Sequence, residues 1–367
     1  LKRKYVLILV PVIVISLLLG GAYLYQMSTR NAIETLVNKG QMINILLAGS
    51  NTFNNRYHRF YAILSLNPDN RRLGVTYLPP DFRVMMSSRR DRALPIKKVS
   101  MDDFDLIRQS IRDTLKLQVP FYIELYAPDV ERFVDIAGGV NQFVFGQVEG
   151  EYFRPYRENY LNGYKVMKYI NTAPGGSIYI KYDRVQDILS TLFYDKKEKM
   201  GVLNRDFIEK ISGSVRTNLL TQESLRLARL VMQSDRIISV IPPGDMQEGT
   251  YVVDDIAFRL YESEFLTPLV IDKAPALAPK IRILNGTRIP GLARRMRNSL
   301  IRDGVSVVEF STAPYQEMKQ TVIINREGDA GAAFRVSELT GIEKIYHIVD
   351  TSRMNNVLMI IGEDMSR

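Results

Sequence analysis

The sequence predicts a layered α/β chain, α+β in character, divided into two domains of unequal size. Three patterns predict it. From Met42 to about Glu264, short β-branched runs such as INILLAGS and YAILSL alternate with longer segments whose apolar residues recur every three or four positions. At residues 273–280, KAPALAPK breaks that alternation with Pro and Ala, as a stiff extended linker does. Beyond it, residues 281–367 crowd strands and helices into short βα units that make a second, compact module.

The chain opens with LKRK at 1–4, followed at 5–25 by YVLILVPVIVISLLLGGAYLY, an uncharged apolar run. At about 1.5 Å per residue this run spans roughly 30 Å, the thickness of a bilayer's hydrocarbon core, so it reads as a single transmembrane helix. Lys2, Arg3 and Lys4 stay on the cytoplasmic side by the positive-inside rule, and everything after Tyr25 lies outside the cytoplasm. A cleaved signal peptide is the rival reading, with Gly20-Gly21-Ala22 as its small-residue site. The run is longer than the roughly 7–15 residues of a signal's apolar core, which favours the anchor. Pro11 is tolerated as a kink in a membrane helix, and Leu1 suggests a non-AUG start. Residues 26–41 read as a polar juxtamembrane spacer with Ile33, Leu36 and Val37 on one helical face.

The first domain, 42–272, begins with strands at 43–48, 61–66 and 72–78. A helix over about 102–116 carries Met101, Phe104, Ile107, Ile111 and Leu115 on one stripe. A strand at 121–126 leads to a helix at 128–137 that Gly138-Gly139 closes, because glycine accepts the left-handed conformation of a helix end. LNGYKVMKYI reads as a short helix, and 182–196 and 204–213 as longer ones. In the second module IRIL is a strand, NGTRIPG a turn and LARRMRNSLIRDG a helix with a glycine C-cap. VSVVEF, TVIIN, KIYHIV and VLMIIG are strands, with another helix near 330–340.

Composition narrows the function classes. Hydrophobic residues at 46% and charged residues at 24% of 367 suit a folded chain, and the net charge of +9 suits an anionic partner such as a membrane surface, a phosphorylated lipid or nucleic acid. Cysteine is absent, which excludes thiolate catalysis, disulfides and cysteine-held zinc. His58 and His347 are the only histidines, too few for a histidine-rich metal centre.

Several motifs, taken in order, resemble one family. NILLAGS, RFYAILSLNP at 59–68, LPPD at 78–81, VDIAGGV at 134–140, LNGYKVMKYI at 161–170 and TNLLTQESLRLA at 217–228 are similar to the LytR-CpsA-Psr family of envelope proteins. ILNGTRIPGLARRMRNSLIRDG and the closing MIIGEDM resemble the LytR C-terminal domain that often follows it. The resemblance implies a central mixed sheet flanked by helices. It also implies a chemistry outside the cytoplasmic membrane: transfer of a glycan from a polyprenyl pyrophosphate carrier to a peptidoglycan hydroxyl, aided by Mg²⁺. Such a site neutralises the charge on the leaving phosphate with arginines and a carboxylate-held metal, and offers the lipid an apolar slot between sheet and helices.

The sequence departs from the family where that chemistry sits. Asn51 stands where the family has Asp after Gly-Ser, Tyr61 where it has Asp after Arg59-Phe60, and Pro80 where it has Arg before Asp81. The family's Arg-x-Arg falls on Asn171 and Ala173, and its later arginine pattern survives as Lys181, Arg184 and Gln186. Arg59, Lys97, Lys181 and Arg184 are therefore expected to hold a pyrophosphate, with Arg89, Arg90 and Arg92 as a secondary basic loop. Asp81 is the remaining pattern carboxylate, with catalysis and capping of the Pro-Pro turn both open to it. No metal ligands and no cofactor are expected unless the chain is an active transferase, in which case Mg²⁺ is. Neutral Asn51 and Tyr61 oxygens bind Mg²⁺ poorly.

His58 is not expected to be a general base, since the sequence pattern places no His, Asp or Ser partner beside it. Arg288, Arg294, Arg295, Arg297 and Arg302 form a basic turn and helix in the second module. They read as a solvated face or a contact with anionic envelope polymer, because the expected topology puts them across the membrane from DNA; no nucleic-acid partner is expected. The expected protein is thus a membrane-anchored binder of a polyprenyl-linked glycan or of peptidoglycan with weak or absent catalysis, a pseudoenzyme. An active glycopolymer phosphotransferase is the alternative, and a transcriptional regulator a more distant one.

Overall fold

Ile43–Ser50 (β1) buries Ile43, Asn44, Ile45, Leu46 and Ala48, residues on both of its faces, as a strand in the middle of a sheet does. In the computed structural model it runs antiparallel to Phe60–Asn67 (β2) and parallel to Phe121–Tyr126 (β6). The structure describes residues 31–50, 58–86, 92–145, 153–172, 177–195, 215–271, 278–350 and 354–366. The expected membrane helix at 5–25, Asn51, Arg89, Arg90, Ala173, the helix at 204–213 and most of the linker lie outside these residues. Among the described residues no helix is long and apolar enough to cross a membrane.

Arg72–Leu78 (β3) pairs with β2, and Arg236–Val240 (β10) adds in parallel to β3. Arg216–Thr217 (β9) closes the far edge, giving a mixed six-stranded sheet of order β10-β3-β2-β1-β6-β9. Alternate residues of β1 and β2 feed two separate cores. Leu46, Ala48, Tyr61 and Ile63 pack with Ile107, Ile111 and Leu115 of helix α2 (Phe104–Leu115), the stripe read from the sequence. Ile43, Ile45 and Ala62 face the other way, towards Tyr77, Tyr182 and Leu227.

Three helices follow on that second face. Ala127–Ile136 (α3) starts with Pro128 in its first turn and ends at Gly138 and Gly139, whose φ values of +79° and +76° explain the glycine pair. Gly163–Asn171 (α4) and Ile178–Tyr194 (α5) complete the layer, α5 beginning four residues before its expected start. Within the expected spacer at 26–41, the stripe of Ile33, Leu36 and Val37 lies on a helix, Ala32–Asn38 (α1), docked on Thr221–Gln233 (α6). Ile33 is fully buried, Glu223 accepts the Ala32 N–H at 2.7 Å, and Arg226 pairs with Glu34.

The second module is a five-stranded sheet of order β14-β13-β17-β15-β16, built from Lys280–Asn285 (β13), Ser306–Thr312 (β14), Val322–Asn325 (β15), Ile345–His347 (β16) and Val357–Ile361 (β17). Helices Leu292–Arg302 and Gly331–Thr340 cover its core of Ile281, Ile283, Ile323, Val336 and Met359.

The two modules meet along one face of α5 and along β10. Asp187 accepts the Val349 N–H at 2.6 Å and the Tyr169 hydroxyl at 2.7 Å. Gln142 donates to the His347 carbonyl at 2.8 Å, Tyr194 stacks on His347, and Arg236 pairs with Asp329. Ser239 N–H donates to the Gly328 carbonyl at 3.0 Å. A side chain at Gly328 would place its Cβ 1.9 Å from the Ser239 oxygen, so this approach requires glycine. Burial pushes the Asp187 carboxyl up to about 8, against the pull of its two hydrogen-bond donors. Burial, helped by Asp350, raises Asp183 to about 7.

Candidate functional site

Between β1, β6 and the helix layer lies a cavity of about 1300 Å³. Its wall from α5 is a stripe at helical spacing: Ile178, Tyr182, Val185, Ile188, Leu189 and Leu192. Phe133, Val134, Val166 and Ile170 supply the α3 and α4 walls, and Leu47, Phe60 and Leu125 come from the sheet. Val185, Leu189 and Leu192 are only half-buried because they face this space rather than a packed neighbour.

The cavity is chemically polarised. Around its lining Gly49, Ser50, Arg59, Asp81, Lys97, Lys98 and Lys181 supply polar and charged groups. Lys97 is paired with Asp81 at 2.6 Å, which leaves that pair neutral overall. Arg59, Lys98 and Lys181 make no ion pair among the described residues. The Asp81 main chain is fixed by its own turn: the Phe82 N–H donates to the Pro79 carbonyl, and the Tyr251 N–H to the Asp81 carbonyl.

Of the expected pyrophosphate ligands, the structure brings Arg59, Lys97 and Lys181 to this cavity together with Asp81. Arg184 goes elsewhere and is a correction. Its guanidinium is buried beneath α4, donating to the Tyr169 carbonyl at 2.6 Å and the Thr172 hydroxyl at 2.9 Å and lying over the Tyr169 ring. Gln186 turns to the seam, where its Oε1 accepts the Ser239 hydroxyl at 2.7 Å. Arg92 is exposed and does not line the cavity.

A family model described as the LytR cell envelope-related transcriptional attenuator matches residues 278–364. Among solved structures, TagT of B. subtilis bound to LI-WTA superposes with a TM-score of 0.51 at 16% identity, covering 64% of this chain and 93% of TagT. Protein gbs0355 of Streptococcus agalactiae gives 0.50 at 14%, covering 66% and 92%. The first domain has the LytR-CpsA-Psr fold, and a LytR C-terminal module follows it. The resemblance read from the motifs is thus upheld, for the fold of the first domain and the family of the second. No curated protein matches the sequence significantly.

On this LytR-CpsA-Psr scaffold the described residues do not fit a carboxylate-held Mg²⁺. Asp81 is engaged by Lys97, and Asp129, the other lining carboxylate, offers one buried oxygen without a partner. Tyr61, at a family carboxylate position, sits on the opposite face of the sheet from the cavity, its hydroxyl donating to the Ile96 carbonyl at 3.2 Å. Burial raises this phenol's pKa, so it stays neutral. Among the described residues no group of three or more His, Asp or Glu side chains is arranged to hold a metal.

One feature escaped the sequence reading. His58 is fully buried in the cavity wall, with Nε2 3.2 Å from Glu124 Oε2. Glu124 also meets Arg216 at 3.3 Å, and Arg216 reaches Asp102 at 2.7 Å. The partner missing from the sequence pattern is therefore a glutamate of β6, brought beside His58 by the sheet.

Proposed function

We propose that this chain is an envelope protein that binds a polyprenyl-diphosphate-linked glycan and transfers it weakly or not at all. The observation that carries the reading is the cavity's polarity. An apolar gallery of about 1300 Å³ suits hydrocarbon, and Arg59, Lys98 and Lys181 at its lining suit phosphate oxygens. The titles of fold relatives, TagT bound to LI-WTA and to LIIa-WTA, are in keeping with an envelope-polymer ligand. Weak turnover follows from the donor set, because an electrostatic stabiliser removed from such a site lowers the rate by about 10²–10³.

In this reading residues 5–25 are a single-pass anchor with residues 1–4 cytoplasmic, 42–272 are the binding domain and 281–367 the LytR C-terminal module. A reporter fused after Arg367 is active only outside the cytoplasm; activity inside overturns this topology. Binding is tested by calorimetry of the full chain in detergent with undecaprenyl diphosphate. Arg59→Ala and Lys181→Ala each weaken affinity about tenfold, the scale of one charge-assisted hydrogen bond, whereas Arg184→Ala lowers the melting temperature and leaves affinity unchanged. Efficient turnover of a polyprenyl-diphosphate glycan with peptidoglycan and Mg²⁺, lost in Arg59→Ala, would overturn the binding-only reading in favour of a glycopolymer transferase.

A further inference from the structure

The helix Leu292–Arg302 of the second module carries no carboxylate, and Arg294 and Arg295 stand in its first turn. The positive end of a helix dipole disfavours cations there, so helix stability alone would choose Asp or Glu. Arg294, Arg295 and Arg302 are exposed and Arg297 is half-buried, and none of the four makes an ion pair among the described residues. Around them, Glu309 is taken by Arg282 at 2.9 Å and Glu317 by Arg288 at 3.5 Å, and Asp303 caps the end of the helix.

Apolar side chains stand open among these cations. At about 100° per residue, Ile301 lies between Arg297 and Arg294 around the helix. Arg297 in turn covers the ring of Phe310 in β14, 5.2 Å away, which joins helix and strand into one surface at the edge of the sheet. Ile289, in the turn before the helix, and Val308 of β14 are open as well. These four apolar residues are between 38% and 49% exposed.

We propose that this face of the second module docks on a bilayer leaflet bearing anionic phospholipid headgroups. Guanidinium groups take phosphate oxygens bidentately. Apolar tips standing between them reach the headgroup and acyl boundary, as in other basic surfaces that lie in a membrane interface. A hydrated anionic polymer or a nucleic acid matches the cations and leaves Ile301, Ile289 and Val308 without a partner, so the mixture of the two chemistries selects lipid. The proposal stands apart from the cavity reading, because no residue of this face lines the cavity.

Cysteine is absent from the chain, so one introduced thiol labels one position. The test mixes the full chain, carrying an environment-sensitive fluorophore on Ile301→Cys, with lipid nanodiscs. Discs rich in phosphatidylglycerol should shift the emission to the blue and bring it within reach of quenchers confined to the bilayer, and discs of phosphatidylcholine should do neither. Raising the salt from about 0.05 to 0.5 M should reverse the shift. Arg294→Gln combined with Arg302→Gln should weaken docking roughly 25-fold, about fivefold for each arginine near an anionic leaflet.

A label on Ser263→Cys, on the exposed surface of the first domain, should respond to neither disc. A label on Val308→Cys repeats the measurement should Ile301→Cys fold poorly. Equal emission in both discs, or equal responses at Ile301 and Ser263, would overturn the proposal. A response at Ile301 to soluble polyphosphate and none to phosphatidylglycerol would also overturn it, and would assign the face to an anionic polymer instead.

Discussion

The two faces of α5 are built from the same helix and treated in opposite ways. On one, Asp187, Gln186, Thr191 and Tyr194 are polar or half-polar, and they are covered by the second module, by Gln142 or by Ser239 of β10. On the other, Val185, Ile188, Leu189 and Leu192 are apolar and face empty space. Folding ordinarily buries the apolar face and exposes the polar one. The inversion is the arrangement that the proposed hydrocarbon ligand would need on the apolar face, while the polar face is matched by hydrogen bonds to its neighbours.

The polar seam is most sensitive at Gly328. Gly328→Ala puts a methyl against the Ser239 carbonyl, and the seam must shift to admit it. The expected loss is about 3 kcal/mol, the upper range for overpacking, seen as a fall in melting temperature. A variant as stable as wild type would mean that the seam is soft.

Asp187→Ala comes next, because it leaves the Val349 N–H and the Tyr169 hydroxyl without their acceptor, at about 2 kcal/mol. Asp187→Asn keeps an acceptor for Val349 and removes the titrating proton. The folded carboxyl titrates near 8, above its ordinary 3.8, so the fold favours the neutral acid. That stabilisation is complete below about pH 4 and is lost as pH rises through 8. The wild-type melting temperature should decline from pH 5 to 8.5, and the Asn variant should decline less.

The smallest effect on stability belongs to the bare face. Leu189→Gln should lower affinity for undecaprenyl diphosphate about tenfold, as expected when a gallery wall turns polar. Affinity for inorganic diphosphate should stay unchanged, and stability should move by less than about 1 kcal/mol. Equal losses for both ligands would mean that the tail does not lie in the gallery.

Local patterns made much of the fold legible. The strands of the first sheet and the α2 stripe carry periodicities that their burial reproduces, and the motif order anticipated the LytR-CpsA-Psr scaffold. Arg59 and Lys181 were legible as cavity residues because each belongs to a motif anchored on a regular element. Arg184 was not: three residues on from Lys181 is about 60° round the helix, enough to carry its guanidinium from the cavity to the shoulder against Tyr169. Glu124 was invisible as a partner of His58 because strand pairing joins them across 66 residues of chain. The stripe of Ile33, Leu36 and Val37 was visible for the same local reason, whereas its docking site on α6, nearly two hundred residues away in sequence, was not.

That docked helix sets a leash. If residues 5–25 are embedded in the bilayer as proposed, only the stretch from Tyr25 to Ala32 separates the membrane from a rigid grip on Glu223, a reach of about 25 Å even when fully drawn out. On that proposal the body would stay close to the leaflet, and a polyprenyl-linked ligand would have only a molecule's breadth to travel from lipid to gallery.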